Sequence, residues 1–422
     1  MIIAAVVAII FCALLMVRGY VRCPFWDQWW VVAQIAGGES PRSLAWLWSQ
    51  QNEHRILFPR LLVWLDMSVF GARNISLFLF TFTVQLAHWF LWIFAIRRWG
   101  PTDRGLRWTL AGLFGYCLFC PNQIENFVLA FQFVFLLTFF LATLAFVCAL
   151  LLDEVKARGR LMSIEIAAPL LALCSLAAGL LIWPFLIALS YLRKTNRRML
   201  TLLLVMAAVS YVAYFAGYQR PPYHSSLWAS LQSPKLLFRY ILTFFGTSWW
   251  FLLPHLARTI ALAAIGFALF LFVSRFRERE NLGKFELLLF VELAFLLTTA
   301  LVTALGRMAL GIGQASSSRY QTPAMLFWAC LASLLLLWLS GRGNVRLLVA
   351  ARALIVIVVS LSALGMRPIY SANEARARDL GKACEVVASG RVEPEVTDKL
   401  LDRPDVLKRG GEYLRQIWKR KR

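Results

Sequence analysis

Charge is scarce in this chain, and negative charge is scarcest. Of 422 residues 16% are charged, with 22 Asp and Glu against 44 Lys and Arg, while 60% are hydrophobic. A soluble protein could not cover that much apolar surface and would aggregate. No glycine-rich loop runs into Lys-Ser or Lys-Thr, so the phosphate cradle of an ATPase is missing and transport driven by the chain's own ATP hydrolysis is unsupported. No His, Cys and Asp cluster has zinc spacing, and the outer loops assigned below contain no Asp-x-Asp pair, so neither a metal nor a cofactor is expected. Internal repeats and low-complexity segments are absent. The first apolar run, "MIIAAVVAIIFCALLMV", has no basic stretch before it and no small-residue cleavage site after it, which reads as an uncleaved first span.

What remains is a series of apolar runs near the roughly 20 residues that a helix needs to cross a bilayer. After the first they cover 75–96, 108–121, 127–151, 162–178, 180–192, 199–217, 255–274, 285–305, 322–340 and 347–365, about eleven spans in all. This is an all-α polytopic membrane protein, without the short alternating strands of an outer-membrane barrel. The short loops 97–107, 153–160, 193–198, 275–284 and 341–346 are all basic, and eleven spans put them together on the cytoplasmic side. The outer side then receives 18–74, 122–126, 218–254, 306–321 and a polar helical tail, 367–422, appended to a membrane domain over 1–366. Within 18–74, "ILFPRLLVWLDMSVFG" reads as an interfacial amphipathic helix with Arg60 and Asp66 off its apolar side. The segment 239–253 is ambiguous as a span.

The net charge of +22 is spread over loops and tail rather than gathered into a basic domain with interleaved aromatics. Anionic lipid head groups are the expected partner, not nucleic acid. Most of the 8 cysteines fall in predicted spans as small hydrophobes; Cys117 and Cys120 have redox spacing but no thioredoxin-like context.

Polar residues cluster in the outer segments. "FWDQWW" places Asp27 among aromatics, where a half-buried carboxylate gains pKa and can act as a general base. "NEHRILFPR" follows with Glu53, His54, Arg55 and Arg60, the arginines suited to gripping phosphate. "CPNQIENFVLAFQ" supplies Gln123, Glu125 and Asn126 at the outer mouth of a span. "GRMALGIGQASSSRYQTP" is a Gly/Ser-rich outer loop bracketed by Arg307 and Arg319, with Tyr320 beside the latter. "YQRPPYHSSLW" adds His224 in a rigid, proline-rich loop. The span interiors read as almost wholly apolar, which weighs against a transporter.

This pattern resembles the GT-C superfamily of membrane glycosyltransferases: an acid in the first outer loop, interfacial helices after it, and about eleven spans. More narrowly, "WDQW", "NEHR", "NQIENFVLAFQ", "GLLIWP" and "SRYQTP" resemble a group of bacterial integral membrane proteins, over most of the chain except the tail. The resemblance implies a multi-pass protein of the bacterial inner membrane. It would transfer a sugar from a polyprenyl-phosphate donor to a glycan or lipid acceptor of the cell envelope, at the outer face. The first-loop acid would be the base, here Asp27, with Glu53 and His54 shaping its surroundings. Arg55, Arg60, Gln123, Glu125, Asn126, His224, Arg307, Arg319 and Tyr320 would bind substrate. Many relatives carry two acids where this chain has Asp27-Gln28, which weakens any inferred metal site. The alternative is a transporter of lipid-linked oligosaccharide or another solute, with no chemistry.

Overall fold

The computed structural model describes residues 1–152, 154, 158–222, 224, 226–276, 282–364 and 366–420. The basic loops at 153–160 and 275–284 and the terminal "KRKR" lie partly outside the described residues.

Helix α1 (Ile2–Arg18) leads into the first loop, which holds α2 (Asp27–Ala36), α3 (Leu44–Trp48), a hairpin of β1 (Gln50–Gln51) and β2 (His54–Arg55), and α4 (Leu57–Phe70). Then come α5 (Ile75–Trp99), α6 (Arg104–Leu118), α7 (Ile124–Val128), α8 (Phe133–Leu151), α9 (Arg158–Leu173) and α10 (Ile182–Leu192). The second half runs through α11 (Arg197–Phe215), α12 (Leu227–Leu231), α13 (Pro234–Gly246), α14 (Ala257–Phe276), α15 (Lys284–Arg307), α16 (Gln321–Gly341) and α17 (Val345–Leu364). The tail forms α18 (Met366–Ala388), α19 (Pro394–Thr397) and α20 (Pro404–Arg420).

A helix stands at each of the eleven predicted positions, and the protein is a polytopic helical membrane protein. Among the described residues 7 helices are long and apolar enough to cross a membrane: Ile75–Trp99, Ala130–Leu151, Arg197–Phe215, Ala257–Arg275, Lys284–Leu310, Ser318–Gly341 and Val345–Ser362. Ile2–Arg18 and Ala177–Leu192 are apolar but shorter. The other two expected spans are weaker for a visible reason. Helix α6 begins with Arg104 and Arg107, and α9 carries Arg158, Arg160 and Glu165. The ambiguous 239–253 stretch is α13 and the turn after it, too short to cross. Helix α8 is central and packs against α5, α9 and α15, whereas α17 turns Leu354, Ile357 and Leu361 outward. An apolar outer face of this kind suits lipid.

Two expectations are corrected. Helix α4 does not turn Arg60 and Asp66 toward water: both are fully buried, and Trp64, Leu65 and Val69 form the exposed side. Asp66 instead accepts from the backbone N–H groups of Asn74 (2.7 Å) and Ser76 (2.9 Å), satisfying donors left open at the start of α5. Nor are the span interiors wholly apolar. His88 and Thr143 lie 2.9 Å apart, Gln85 donates to the Leu118 carbonyl, and Glu165 and Glu292 are buried on α9 and α15.

The tail is packed onto the first loop rather than merely appended. Cys23 and Cys384 form a disulfide with Cα atoms 5.7 Å apart. Gly410 lets α20 lie directly on α2, where an added Cβ would sit 3.0 Å from the Trp29 ring. The Trp418 indole donates to Gly71 O (2.7 Å), and the Trp26 N–H donates to Leu400 O (2.9 Å). First loop and tail therefore share one face, called here the site face; loops 97–107, 193–198 and 341–346 lie on the opposite, basic face. Cysteines introduced at exposed Glu39 and Arg198 should react with an impermeant reagent from opposite sides of sealed vesicles. Labelling of both from one side would refute this arrangement.

Candidate active site

The centre of the site is a tight hairpin. Gln50 pairs with Arg55 and Gln51 with His54, leaving Asn52 and Glu53 as the turn. Asn52 takes the required positive φ of 52°, which Asn tolerates better than most residues. The hairpin is pinned from below. Arg55 donates to Trp48 O (3.0 Å), Tyr214 O (3.2 Å) and Ala216 O (2.6 Å), and the Tyr214 hydroxyl donates to Glu53 O (2.7 Å). Arg60 Nη1 donates to Trp46 O, Leu47 O and Ser49 O where α3 ends. Arg55 and the Nη1 of Arg60, expected to grip phosphate, are thus directed to backbone and build the platform, while Arg60 Nε and Nη2 are buried with no partner among the described residues.

Glu53 stands on that platform, 8% exposed. Its Oε1 is ion-paired with Arg307 Nη2 and lies 3.3 Å from His54 Nε2, and its Oε2 lies 3.6 Å from His224 Nε2. The His54 tautomer follows from its other nitrogen. Nδ1 accepts from the Ala177 N–H (3.1 Å), so Nε2 carries the hydrogen that faces Glu53. Ala177 can reach because Gly179, in the "GLLIWP" stretch, lets that turn fold onto the end of α9; a Cβ there would meet the Leu173 backbone nitrogen at 2.3 Å.

Burial pushes the His54 imidazole down to about 4; nearby Asp27 pulls it up and Arg319 pushes it down. His224 is lowered too, by burial first and then by His54 and Arg220. Both are therefore neutral donors or acceptors near pH 7, not acids. The native state holds His54 neutral while the unfolded chain protonates it near 6.5. Its stabilisation is complete above pH 6.5 and is lost as pH falls from 6.5 through about 4. The melting temperature should drop across that window, and His54→Gln should flatten the drop. Parallel wild-type and variant curves would assign the acid sensitivity to other groups.

Asp27 opens α2 directly after Trp26, whose φ of 47° is a strained setting for a bulky residue. Its Oδ1 accepts from Asn52 Nδ2 (3.2 Å), and its carbonyl accepts from Gln51 Nε2 (3.1 Å). It is half-buried, and its charge is felt by both His54 and Arg307. The two carboxylates thus differ in setting: Glu53 is buried in an ion pair, while the half-buried Asp27 side chain takes only the Asn52 amide among the described residues.

The loop after α15 brings Arg319 to the same place. Its Nε is buried without an acceptor, and no acceptor for its guanidinium is found among the described residues; the group lies 5.5 Å from the Tyr320 ring centroid. Tyr320 is buried against Phe244. The "CPNQIEN" cluster braces this loop from behind. Glu125 Oε2 accepts from the Arg319 N–H (3.3 Å) and Ser317 Oγ (3.3 Å), Asn126 Nδ2 donates to Arg319 O (3.1 Å), and Thr322 Oγ1 donates to Gln123 Oε1 (2.6 Å). Glu125 and Asn126 therefore hold the Arg319 backbone, and Gln123 holds Thr322 three residues on.

Among the described residues no group of three or more His, Cys, Asp or Glu is placed to hold a metal ion. Sequence reasoning missed Tyr240, buried in α13 within electrostatic reach of Arg319 and Tyr320, and the Cys23–Cys384 link. The second had a signal: these two are the cysteines that lie outside every predicted span.

The fold and this cluster define a polytopic membrane protein with an acid–guanidinium site at one membrane face. No family model matches the chain, and no curated protein matches it. Among solved structures, ArnT from Cupriavidus metallidurans in the apo state is similar at 16% identity and a TM-score of 0.46, covering 98% of this chain and 74% of that one. ArnT from the same organism bound to undecaprenyl phosphate is similar at 14% identity and a TM-score of 0.43, covering 99% and 74%.

Proposed function

We propose that this chain is a GT-C-type glycosyltransferase acting at the outer face of a bacterial inner membrane. It would move a sugar from a polyprenyl-phosphate donor to a glycan or lipid acceptor of the cell envelope. The observation that carries the reading is Arg319, a guanidinium with no acceptor among the described residues, set beside Arg307 and two carboxylates. A lipid-linked donor presents its phosphate and anomeric carbon at the membrane surface, where this cluster sits. In the reaction the acceptor hydroxyl oxygen bonds to the anomeric carbon, and the bond from that carbon to the phosphate oxygen breaks. Asp27 takes the hydroxyl proton. Arg319 and, behind it, Arg307 stabilise the charge gathering on the departing polyprenyl phosphate. Neutral His54 and His224 hold Glu53 in place. Tyr320 lies against the Arg319 guanidinium and positions it.

The test is a panel of radiolabelled polyprenyl-phosphate sugars offered to purified protein in lipid, with donor binding measured in parallel. Arg319→Ala should weaken donor binding about 10- to 100-fold, the worth of charge-assisted hydrogen bonds. Arg319→Lys keeps the charge but loses the planar fork and should fall between. Undiminished donor affinity in Arg319→Ala would remove this loop from the site. A second reading, transport without chemistry, draws on the buried His88, Thr143 and Glu292 set. It predicts movement of solute across vesicles with no sugar transferred.

A further inference from the structure

The basic face carries a cleft of about 1200 Å³, distant from the acid cluster. Its walls are Ala188 and Leu189 of α10, Leu200 of α11, Phe272 of α14, and Phe290 and Ala294 of α15. Its rim is the turn between α10 and α11, which contributes Lys194, Thr195 and Arg197, with Lys284 across from it.

The dimensions match one leaflet of a bilayer. Ala294 lies ten residues along α15 from Lys284, about 15 Å at the helical rise of 1.5 Å per residue. Half of a hydrocarbon core about 30 Å thick is the same depth. The walls are apolar over that depth, and polar atoms collect at the mouth. A soluble anion would have no use for such walls, whereas a lipid needs both parts.

The rim selects charge. Lys284 is spent on Leu150 O (3.1 Å) and Glu154 Oε1 (2.6 Å). Lys194 and Arg197 are exposed, and no carboxylate faces either among the described residues. Between them the Thr195 hydroxyl is buried without a hydrogen-bond partner among the described residues. Helix α11 starts here, with Asn196 Oδ1 accepting from the Arg198 and Met199 N–H groups, so the positive end of a helix dipole adds to the two side chains.

We propose that this cleft binds one anionic phospholipid from the leaflet on the basic face, its phosphate on Lys194, Arg197 and Thr195 and an acyl chain between α10 and α15. The site is independent of sugar transfer. Two basic side chains at a membrane surface give a preference of about 20- to 30-fold for an anionic over a zwitterionic lipid.

Native mass spectrometry of the full chain, released from detergent with phosphatidylglycerol and phosphatidylcholine of matched acyl chains, reads this directly. The expected result is one retained phosphatidylglycerol, preferred by about 20-fold. Lys194→Gln with Arg197→Gln should cut the preference below about threefold, and Ala188→Phe, which fills the cleft, should lower retention of both lipids. Removing the same charge elsewhere on this face, with Arg104→Gln and Arg346→Gln, should leave the preference intact. Equal retention of the two lipids by the unaltered chain would overturn the proposal, and so would an equal loss in the Arg104/Arg346 variant. Displacement of the lipid by glycerol phosphate as readily as by whole phosphatidylglycerol would also overturn it, because the apolar walls would then contribute nothing.

Discussion

Asp27→Asn should leave a folded protein that binds donor within about twofold of the original and transfers sugar about 10²–10⁴ times more slowly, the usual cost of losing a positioned base. Asn is nearly isosteric with Asp and keeps an oxygen for the Asn52 amide at 3.2 Å, so the start of α2 should hold. The arginines that carry donor binding are untouched. The reasoning turns on the contrast between the carboxylates. Glu53, 8% exposed and paired with Arg307, has its charge already committed, while Asp27 is half-buried and takes only the Asn52 amide on its side chain among the described residues. Transfer at the original rate by Asp27→Asn, alongside a folded but inactive Glu53→Gln, would move the base to Glu53. If neither change matters and no sugar transfer is detected with any donor, the transport reading replaces the enzyme reading.

The second large effect is on stability. Glu53→Ala strands the Arg307 guanidinium, and Arg307→Leu strands the carboxylate between two neutral histidines. Breaking a buried pair from one side costs about 3–5 kcal/mol because the partner's charge stays buried without its counterpart. The partners' side chains are 9% and 20% exposed, which places the expected loss at the lower end, about 3 kcal/mol. The double variant Glu53→Ala/Arg307→Leu should recover more than half of either loss, since no unpaired charge remains. Melting curves of the four proteins in one detergent form the cycle. Strictly additive losses would mean that Glu53 and Arg307 do not act on each other, and the site's electrostatic centre would have to be redrawn.

Much of the fold was legible because bilayer physics writes itself in long apolar runs, and helices stand at every predicted position. The runs at 108–121 and 162–178 are weaker as spans, because Arg104 and Arg107 open the helix over the first and Glu165 lies within the second. The site was legible as a gathering: Asp27, Glu53, His54, His224, Arg307 and Arg319 do converge. Their division of labour was not. Arg55 and Arg60 look in sequence like Arg319, and only the nearness of the ends of α3 and α11 directs their donors to carbonyls. His224 looked weak in its loop because nothing local announces that it faces Glu53 from a distant part of the chain. The polar interior at His88, Thr143 and Glu292 escaped notice for a similar reason, each residue being alone on its own helix.

The Cys23–Cys384 link also bears on how the molecule is made. Its two halves are 361 residues apart, so at about 5–20 residues per second the first loop is synthesised on the order of 20–70 s before its fastening. Through that interval Cys23 is a lone thiol, and Trp26 lacks the Leu400 carbonyl that holds it in its strained setting beside Asp27. A chain whose translation stops before the tail would carry every span and every member of the acid cluster, yet its first loop would be unfastened. The contacts that fasten the residue before Asp27 thus arrive only with the last part of the chain.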